Sequence, residues 1–195
     1  MQGLFYWTIS NRKGMFMKLA VFISGTGSNL LALIEAQRKK YFNSQIKLIV
    51  ANKEAKGLAH ARDNNIAYMV SKDDEKILAK LKEYEIDLIV LAGYLPKVSK
   101  KIIDAYKIIN IHPSLLPKYG GKGFYGMNVH KAVFANKEKI SGVSIHYVNE
   151  NLDDGEIIFQ RKVDISQCQS AEAIAKKVLE VEHESLKEVI KQLEG

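Results

Sequence analysis

The sequence predicts an α/β fold: a mostly parallel central sheet with helices on both faces, and mixed strands in the C-terminal part. Three observations predict it. Short apolar runs alternate with helical patterns between residues 18 and 112, the order expected of βαβ units. Residues 87–92 (DLIVLA) are apolar after the first position, as in a strand covered on both faces. A glycine-rich turn, SGTGSN at 24–29, follows the first strand directly and opens a helix, where open α/β sheets hold ligands.

Taken in order, residues 19–23 form the first apolar strand, and the helix after the glycine turn runs from about 29 to 40. A strand at 46–51 and a short helix at 57–64 follow, then a third strand at 66–70. The helix at 73–84 sets Ile77, Leu78 and Leu81 on one face, the spacing of an amphipathic helix. The strand at 87–92 leads through a short helix at about 98–105 to a strand at 107–112. Beyond it the style changes. Gly120, Gly121, Gly123 and Gly126 make a glycine-rich stretch before a helix around 129–136. Residues 142–148 and 156–163 have the partial alternation of half-covered strands, and a final helix spans about 171–193. No repeat or linker interrupts this pattern, so residues 17–195 are expected to be a single Rossmann-like domain. Residues 1–16 carry the only tryptophan, Trp7, and join no strand or helix pattern. No basic residue precedes Leu4-Phe5-Tyr6-Trp7 and no small-residue cleavage site follows, so they read as a non-essential extension rather than a signal peptide.

Composition narrows the function classes. Hydrophobic residues at 47% and charged residues at 26% are ordinary for a soluble globular chain. No apolar run approaches the ~20 residues of a membrane span. Cys168 is the only cysteine, which excludes a disulfide framework and a cysteine metal site and fits a cytoplasmic location. The net charge of +7 fits a solvated lysine surface, without the arginine–aromatic interleaving that would point to nucleic acid. Five histidines (60, 112, 130, 146, 183) show no metal-ligand spacing, so no metal is expected. Ser114 and Ser144 lie outside any G-x-S-x-G elbow, against a serine hydrolase.

Three constellations carry chemistry. In Ser24-Gly25-Thr26-Gly27-Ser28-Asn29, glycines let the backbone approach an anion that the helix start can bind. Leu30 stands where a dinucleotide fingerprint has its third glycine, and no Lys-Ser/Thr ending of a P-loop follows. One phosphate of a smaller ligand fits better; an ordinary βα turn is the alternative. In Asn110-Ile111-His112-Pro113, an amide and an imidazole lie two apart on an extended segment and so share a face. Ile109 and Ile111 then bury the other face, and Pro113 stops the strand and holds His112 extended. The pair sits at the carboxyl end of a parallel strand, suited to carbonyl chemistry, though a core asparagine and histidine satisfied by backbone is the plainer alternative. In Leu152-Asp153-Asp154-Gly155, Asp-Gly is a common hairpin turn. A carboxylate at Asp153 facing His112 would instead raise the imidazole pKa and favour the protonated ring.

Together, ISGTGSN, NIHPSLLP and LDDG, in this order and at these separations, resemble the phosphoribosylglycinamide formyltransferases, folate-dependent enzymes of purine synthesis. The resemblance runs from about Lys18 to the C-terminus. It implies transfer of a formyl group from 10-formyltetrahydrofolate to the amine of glycinamide ribonucleotide. It further implies a catalytic trio of Asn110, His112 and Asp153, with substrate phosphate and ribose held by Gly25, Thr26, Gly27, Ser28, Asn29 and Glu182. Tyr94, Leu95, Pro96, Lys97 and Val98 would line one folate wall, and Asn149 to Asp153 the other. The chain departs from some members at Pro96, where they carry arginine, and in the longer, glycine-rich stretch between Lys118 and His130. The expected partners are these small molecules, with no nucleic acid or membrane, acting as a monomer or homodimer.

Rivals remain at this level. A methionyl-tRNA formyltransferase would need a further C-terminal domain, and a formyltetrahydrofolate hydrolase an N-terminal regulatory one. A sugar-nucleotide formyltransferase is expected to be longer. A non-catalytic nucleotide-binding module would use the glycine loop alone and have no need of Asn110, His112 and Asp153 together.

Overall fold

The computed structural model describes residues 16–195; the extension expected at 1–16 lies, apart from Phe16, outside the described residues. Its strands are β1 (Lys18–Ile23), β2 (Gln45–Ala51), β3 (Ala67–Val70), β4 (Leu88–Leu91), β5 (Lys107–His112), β6 (Ile140–Tyr147) and β7 (Ile157–Asp164). The helices are α1 (Ser28–Arg38), α2 (Leu58–Asp63), α3 (Asp74–Glu83), α4 (Lys100–Ala105), α5 (Met127–Ala135) and α6 (Ala171–Leu193). The seven strands form one sheet in the order β3-β2-β1-β4-β5-β6-β7. The first five pair in parallel, while β6 and β7 join antiparallel. This is the mostly parallel, Rossmann-like sheet with a mixed C-terminal part that the alternation predicts.

The apolar strands sort by parity onto two faces. Leu19, Val21 and Ile23 of β1, with Ile109 and Ile111 of β5, meet α1 and the C-terminal half of α6. Ala20 and Phe22, with Ile108, meet α3 and α4 on the other face. A third cluster joins Val129 and Val133 of α5 to Val143, Val163 and the first turns of α6. Helix α3 begins on an Asp73 side chain that accepts from the N–H groups of Glu75 and Lys76.

Strand order reverses at β1, which lies between β2 and β4. The connections leaving β1 and β4 at their carboxyl ends therefore diverge to opposite faces and open a crevice there. The 24–29 turn follows β1, the 93–98 segment follows β4, and β5 ends on His112. Two interstrand spacings separate the ends of β1 and β5, roughly 10 Å.

Element boundaries differ from the sequence reading by one to two residues, and two differences have a cause. Strand β6 starts at Ile140, two residues before expected, because Gly142 breaks the alternation. A Cβ there would lie 2.2 Å from the Arg161 carbonyl, so the glycine marks close strand packing within the sheet. The Asp154-Gly155 pair is not a two-residue hairpin turn: β6 and β7 are joined by residues 148–156. A Cβ on Gly155 would fall 1.7 Å from the Tyr147 carbonyl, so glycine is required where this loop rejoins the sheet.

Candidate active site

Strand β5 delivers Asn110 and His112 to one side of its carboxyl end, with Ile109 and Ile111 buried on the other. The antiparallel partner β6 then sets His146 across from Asn110 and Ser144 across from His112. Ser144 is fully buried and ties down the loop after β5. Its hydroxyl donates to the Ser114 carbonyl at 2.7 Å and accepts from the Leu116 N–H at 2.9 Å.

Asp153 reaches this pair from the 148–156 loop. Its Oδ2 lies 3.5 Å from His112 Nδ1 and accepts from the Gly121 N–H at 2.8 Å. Its Oδ1 accepts from Asn110 Nδ2 at 3.4 Å and lies 3.6 Å from His146 Nε2. The backbone of Asp153 is left-handed, at φ 54°, a conformation that Asp tolerates better than most residues. The three residues that sequence reading set apart on two segments are thus brought together.

The ring orientation of His112 follows from its other partner. Nε2 lies 2.7 Å from the Tyr119 carbonyl, which can only accept, so Nε2 carries a proton. Nδ1 is then the nitrogen that gains or loses one, opposite Asp153. Tyr119 is itself left-handed at φ 57°, and its hydroxyl donates to Glu138 at 2.8 Å. Residues 119–121 therefore clamp the trio, holding His112 by a carbonyl and Asp153 by an N–H.

The electrostatics correct one expectation. Asp153 does pull the His112 pKa up, but burial acts more strongly and holds the net value below an ordinary histidine. The free protein therefore favours the neutral ring, not the protonated one. For Asp153, burial raises the pKa, but the His146 and His112 rings, both protonated in the acid range where a carboxyl titrates, and the Gly121 N–H together outweigh it, and the carboxyl stays ionised below its usual range. Buried His130 is driven by burial, and next by His112, to about 4, so it stays neutral beside the site.

The glycine turn closes around the start of α1. Gly27 is its left-handed N-cap residue at φ 73°, packed so tightly on Gly57 that a Cβ would lie 2.9 Å from the Gly57 Cα. His60 donates from Nε2 to the Thr26 carbonyl at 3.2 Å, and the Gly57 N–H to the Gly25 carbonyl at 3.0 Å. Gly25 and Thr26 are exposed, Ser28 half-buried and Asn29 buried. The first N–H groups of α1 thus have no intrahelical partner and face the crevice end of the sheet. Glu182, on α6, accepts from Asn29 Nδ2 at 3.1 Å, leaving the buried Asn29 Oδ1 without a partner among the described residues. Burial pushes the Glu182 carboxyl up to about 7, against the Asn29 hydrogen bond.

The two expected folate walls take different forms. The Tyr94–Val98 stretch begins against the glycine turn: the Leu95 N–H donates to Ser24 Oγ at 2.9 Å, and Ser24 Oγ donates to Asn52 Oδ1 at 2.7 Å. Tyr94 packs edge-on against Phe22, and Val98 is buried in the core, so these two fix the segment. Pro96 is half-buried and Lys97 exposed. Leu95 and, on the other wall, Leu152 are half or more exposed, as apolar surfaces for a ring system would be. The Asn149 side chain accepts from the Asn151 N–H at 2.8 Å, which shapes its own loop.

Sequence reading missed His146, Tyr119, Gly121 and Ser24 as members of this site. Tyr119 and Gly121 act through backbone groups, which carry no residue signature. Ser24 was visible only as part of the turn.

Comparison with known proteins gives one family. The Formyl transferase family model matches residues 17–190. A chloroplastic phosphoribosylglycinamide formyltransferase of Vigna unguiculata is 43% identical over 90% of this chain and 60% of its own length. The phosphoribosylglycinamide formyltransferase of Bacillus subtilis is 34% identical over 91% of this chain and 95% of its own. The chain thus spans about three fifths of the plant relatives it matches. Among solved structures, glycinamide ribonucleotide transformylase 1 of Geobacillus kaustophilus superposes with a TM-score of 0.85 at 33% identity, covering 93% of this chain and all of that one. Fold, motifs and match agree: this chain belongs to the formyl transferase family.

Proposed function

We propose that this protein transfers a formyl group from 10-formyltetrahydrofolate to the amine of glycinamide ribonucleotide. The observation that carries this reading is the convergence of Asn110, His112 and Asp153 beside a glycine turn at the next strand ends but one. Relatives that carry the phosphoribosylglycinamide formyltransferase name support the choice of substrate.

Gly25, Thr26, Gly27, Ser28 and Asn29 would hold the substrate phosphate on the start of α1, where the helix dipole favours an anion. Glu182 and the orphaned Asn29 Oδ1 would take the ribose hydroxyls as donors. A phosphoribose with a short amide arm then extends toward β5 and brings its amine to the trio. Tyr94, Leu95, Pro96, Lys97 and Val98 on one side, and Asn149 to Asp153 on the other, would enclose the folate.

Attack of the amine on the formyl carbon places negative charge on the formyl oxygen. The Asn110 Nδ2–H stabilises that charge, as does His112 once Nδ1 is protonated. Because burial keeps His112 neutral in the free protein, Nδ1 takes up a solvent proton as the oxyanion develops, drawn by that charge together with Asp153, and gives it back when the formyl C=O re-forms. Asp153, ionised and 3.5 Å from that nitrogen, accepts the proton lost by the attacking amine through a bridging water. The proton passes to the departing folate nitrogen as the carbon–nitrogen bond breaks. A cytoplasmic location belongs to this proposal, supported by the unpaired Cys168; among the described residues no helix is long and apolar enough to cross a membrane.

The test is a spectroscopic assay of tetrahydrofolate-product formation with glycinamide ribonucleotide as acceptor. Product formation that requires both substrates supports the reading. Folate hydrolysis without acceptor, or nucleotide binding without turnover, would replace it with the hydrolase or the binding module.

A further inference from the structure

We propose that His146 is a positioning residue that fixes the Asn110 carboxamide so that one of its N–H groups is aimed at the formyl oxygen; this rests on the formyl-transfer reading above. His146 is 2% exposed and lies directly across the β5–β6 ladder from Asn110. The β6–β7 register shifts between Ile145 and His146. Such a bulge re-aims a side chain, and bulges concentrate beside active sites.

The orientation follows from the acceptors present. His146 Nδ1 lies 2.9 Å from the Tyr147 carbonyl, which only accepts, so Nδ1 carries the proton. In the neutral ring Nε2 is then a bare acceptor; it lies 3.1 Å from the amide group of Asn110, within hydrogen-bond reach, whereas Asp153 Oδ1 stands 3.6 Å from it, beyond that reach. The same Asn110 atom faces Asp153 Oδ1, a carboxylate oxygen, at 3.4 Å. Two acceptors converge on that atom, so it must be the NH2 nitrogen. Turning the amide over would set its oxygen against a ring lone pair and a carboxylate at once.

One hydrogen of Asn110 is therefore held by His146. The other points toward Asp153 Oδ1 over a distance long enough for an incoming oxygen to take it, as catalytic hydrogen bonds often tighten only in the complex. The two buried histidines thus have opposite tautomers, Nδ1–H at His146 and Nε2–H at His112. Each is set by a main-chain carbonyl. His146 touches no reacting atom; it acts through Asn110.

Two measurements test this. Nitrogen-15 spectra of the wild-type histidines, assigned by the signals lost in His146→Leu and His146→Gln, should show His146 with Nδ1 protonated and Nε2 bare. A protonated Nε2 at His146 overturns the proposal whatever the activity. In formyl transfer, His146→Leu removes the acceptor and should lower kcat by about 10- to 100-fold, less than the roughly 10²- to 10³-fold loss of a whole oxyanion donor. KM for both substrates should stay within about twofold. His146→Gln, whose side-chain carbonyl can accept from Asn110, should recover most of kcat. Wild-type kcat in His146→Leu overturns the proposal. So does equal impairment of the two variants at unchanged Tm, or a loss carried by KM. Wild-type protein with the expected tautomer but no formyl transfer overturns the functional reading and leaves the placement standing.

Discussion

Asp153 Oδ2 stands 3.5 Å from His112 Nδ1, on the one ring nitrogen of His112 not already committed to a carbonyl. The pairing is asymmetric. The carboxylate gains from its neighbours, while burial holds the imidazole below its usual range. In the free protein His112 should therefore titrate below the ordinary histidine value of about 6.5. Asp153→Asn removes the attraction that opposes burial and should lower His112 further. Histidine NMR titration checks both; a rise in Asp153→Asn would show that the carboxylate does not act on this ring. The sign for stability follows: a histidine with a lowered folded pKa binds its proton better when unfolded, so stability rises with pH up to the ordinary value.

Asn110→Ala and His112→Ala should each abolish nearly all turnover while leaving the fold intact. Asn110 is half-buried at a strand end, so its truncation opens no core cavity. Each loss should fall near the roughly 10²- to 10³-fold of a missing oxyanion donor, or about 3–4 kcal/mol. Steady-state rates with thermal melts measure the two quantities. Unaltered turnover in either variant would remove that residue from the mechanism.

The parallel half of the fold was legible because strands covered on both faces have to be apolar throughout, as in Leu88–Leu91, and because the Ser24-Gly25 turn and Pro113 follow directly on the ends of β1 and β5. Asn110 and His112 were legible as a pair from the two-residue period of a strand alone. Asp153 was ambiguous, since LDDG also spells a turn, and only long-range contacts to Gly121 and His112 decide its place. His146 carried no signal, because its partner Asn110 lies 36 residues away in sequence and is set opposite it only by the register of two strands. The state of His112 was misjudged for a related reason. A neighbouring charge can be guessed from motifs, but burial is set by everything packed around the ring. Glu182 did leave a local trace: it lies four residues from both Val178 and Leu186, on the apolar stripe of α6.

Gly27→Ala should disrupt the glycine turn in two ways. At φ 73° an L-residue loses about 1–2 kcal/mol, and the new Cβ would collide with the Gly57 Cα at 2.9 Å. The expected result is a lower Tm together with a KM for the phosphorylated substrate that rises more than the KM for folate. Gly25→Ala is the stability control, since a Cβ there has nothing within 4 Å and its backbone needs no positive φ. Equal Tm values for the two variants would show that the Gly27–Gly57 contact is not a constraint.

Glu182 links substrate binding to pH through its burial. Its folded pKa of about 7 lies above the ordinary value of 4.5, so the folded protein binds this proton more tightly than the unfolded chain does. Stability from this group is therefore fully present below about 4.5 and is lost as pH rises toward 7. The loss amounts to roughly 3 kcal/mol, at about 1.4 kcal/mol per pKa unit. Glu182→Gln keeps the shape and stays neutral at every pH. Its Tm should match wild type near pH 5 and exceed it increasingly up to pH 8, while its affinity for the ribose-bearing substrate falls because the carboxylate acceptor is gone. A Tm difference that stays constant from pH 5 to pH 8 would show that Glu182 does not titrate in this range in the folded protein.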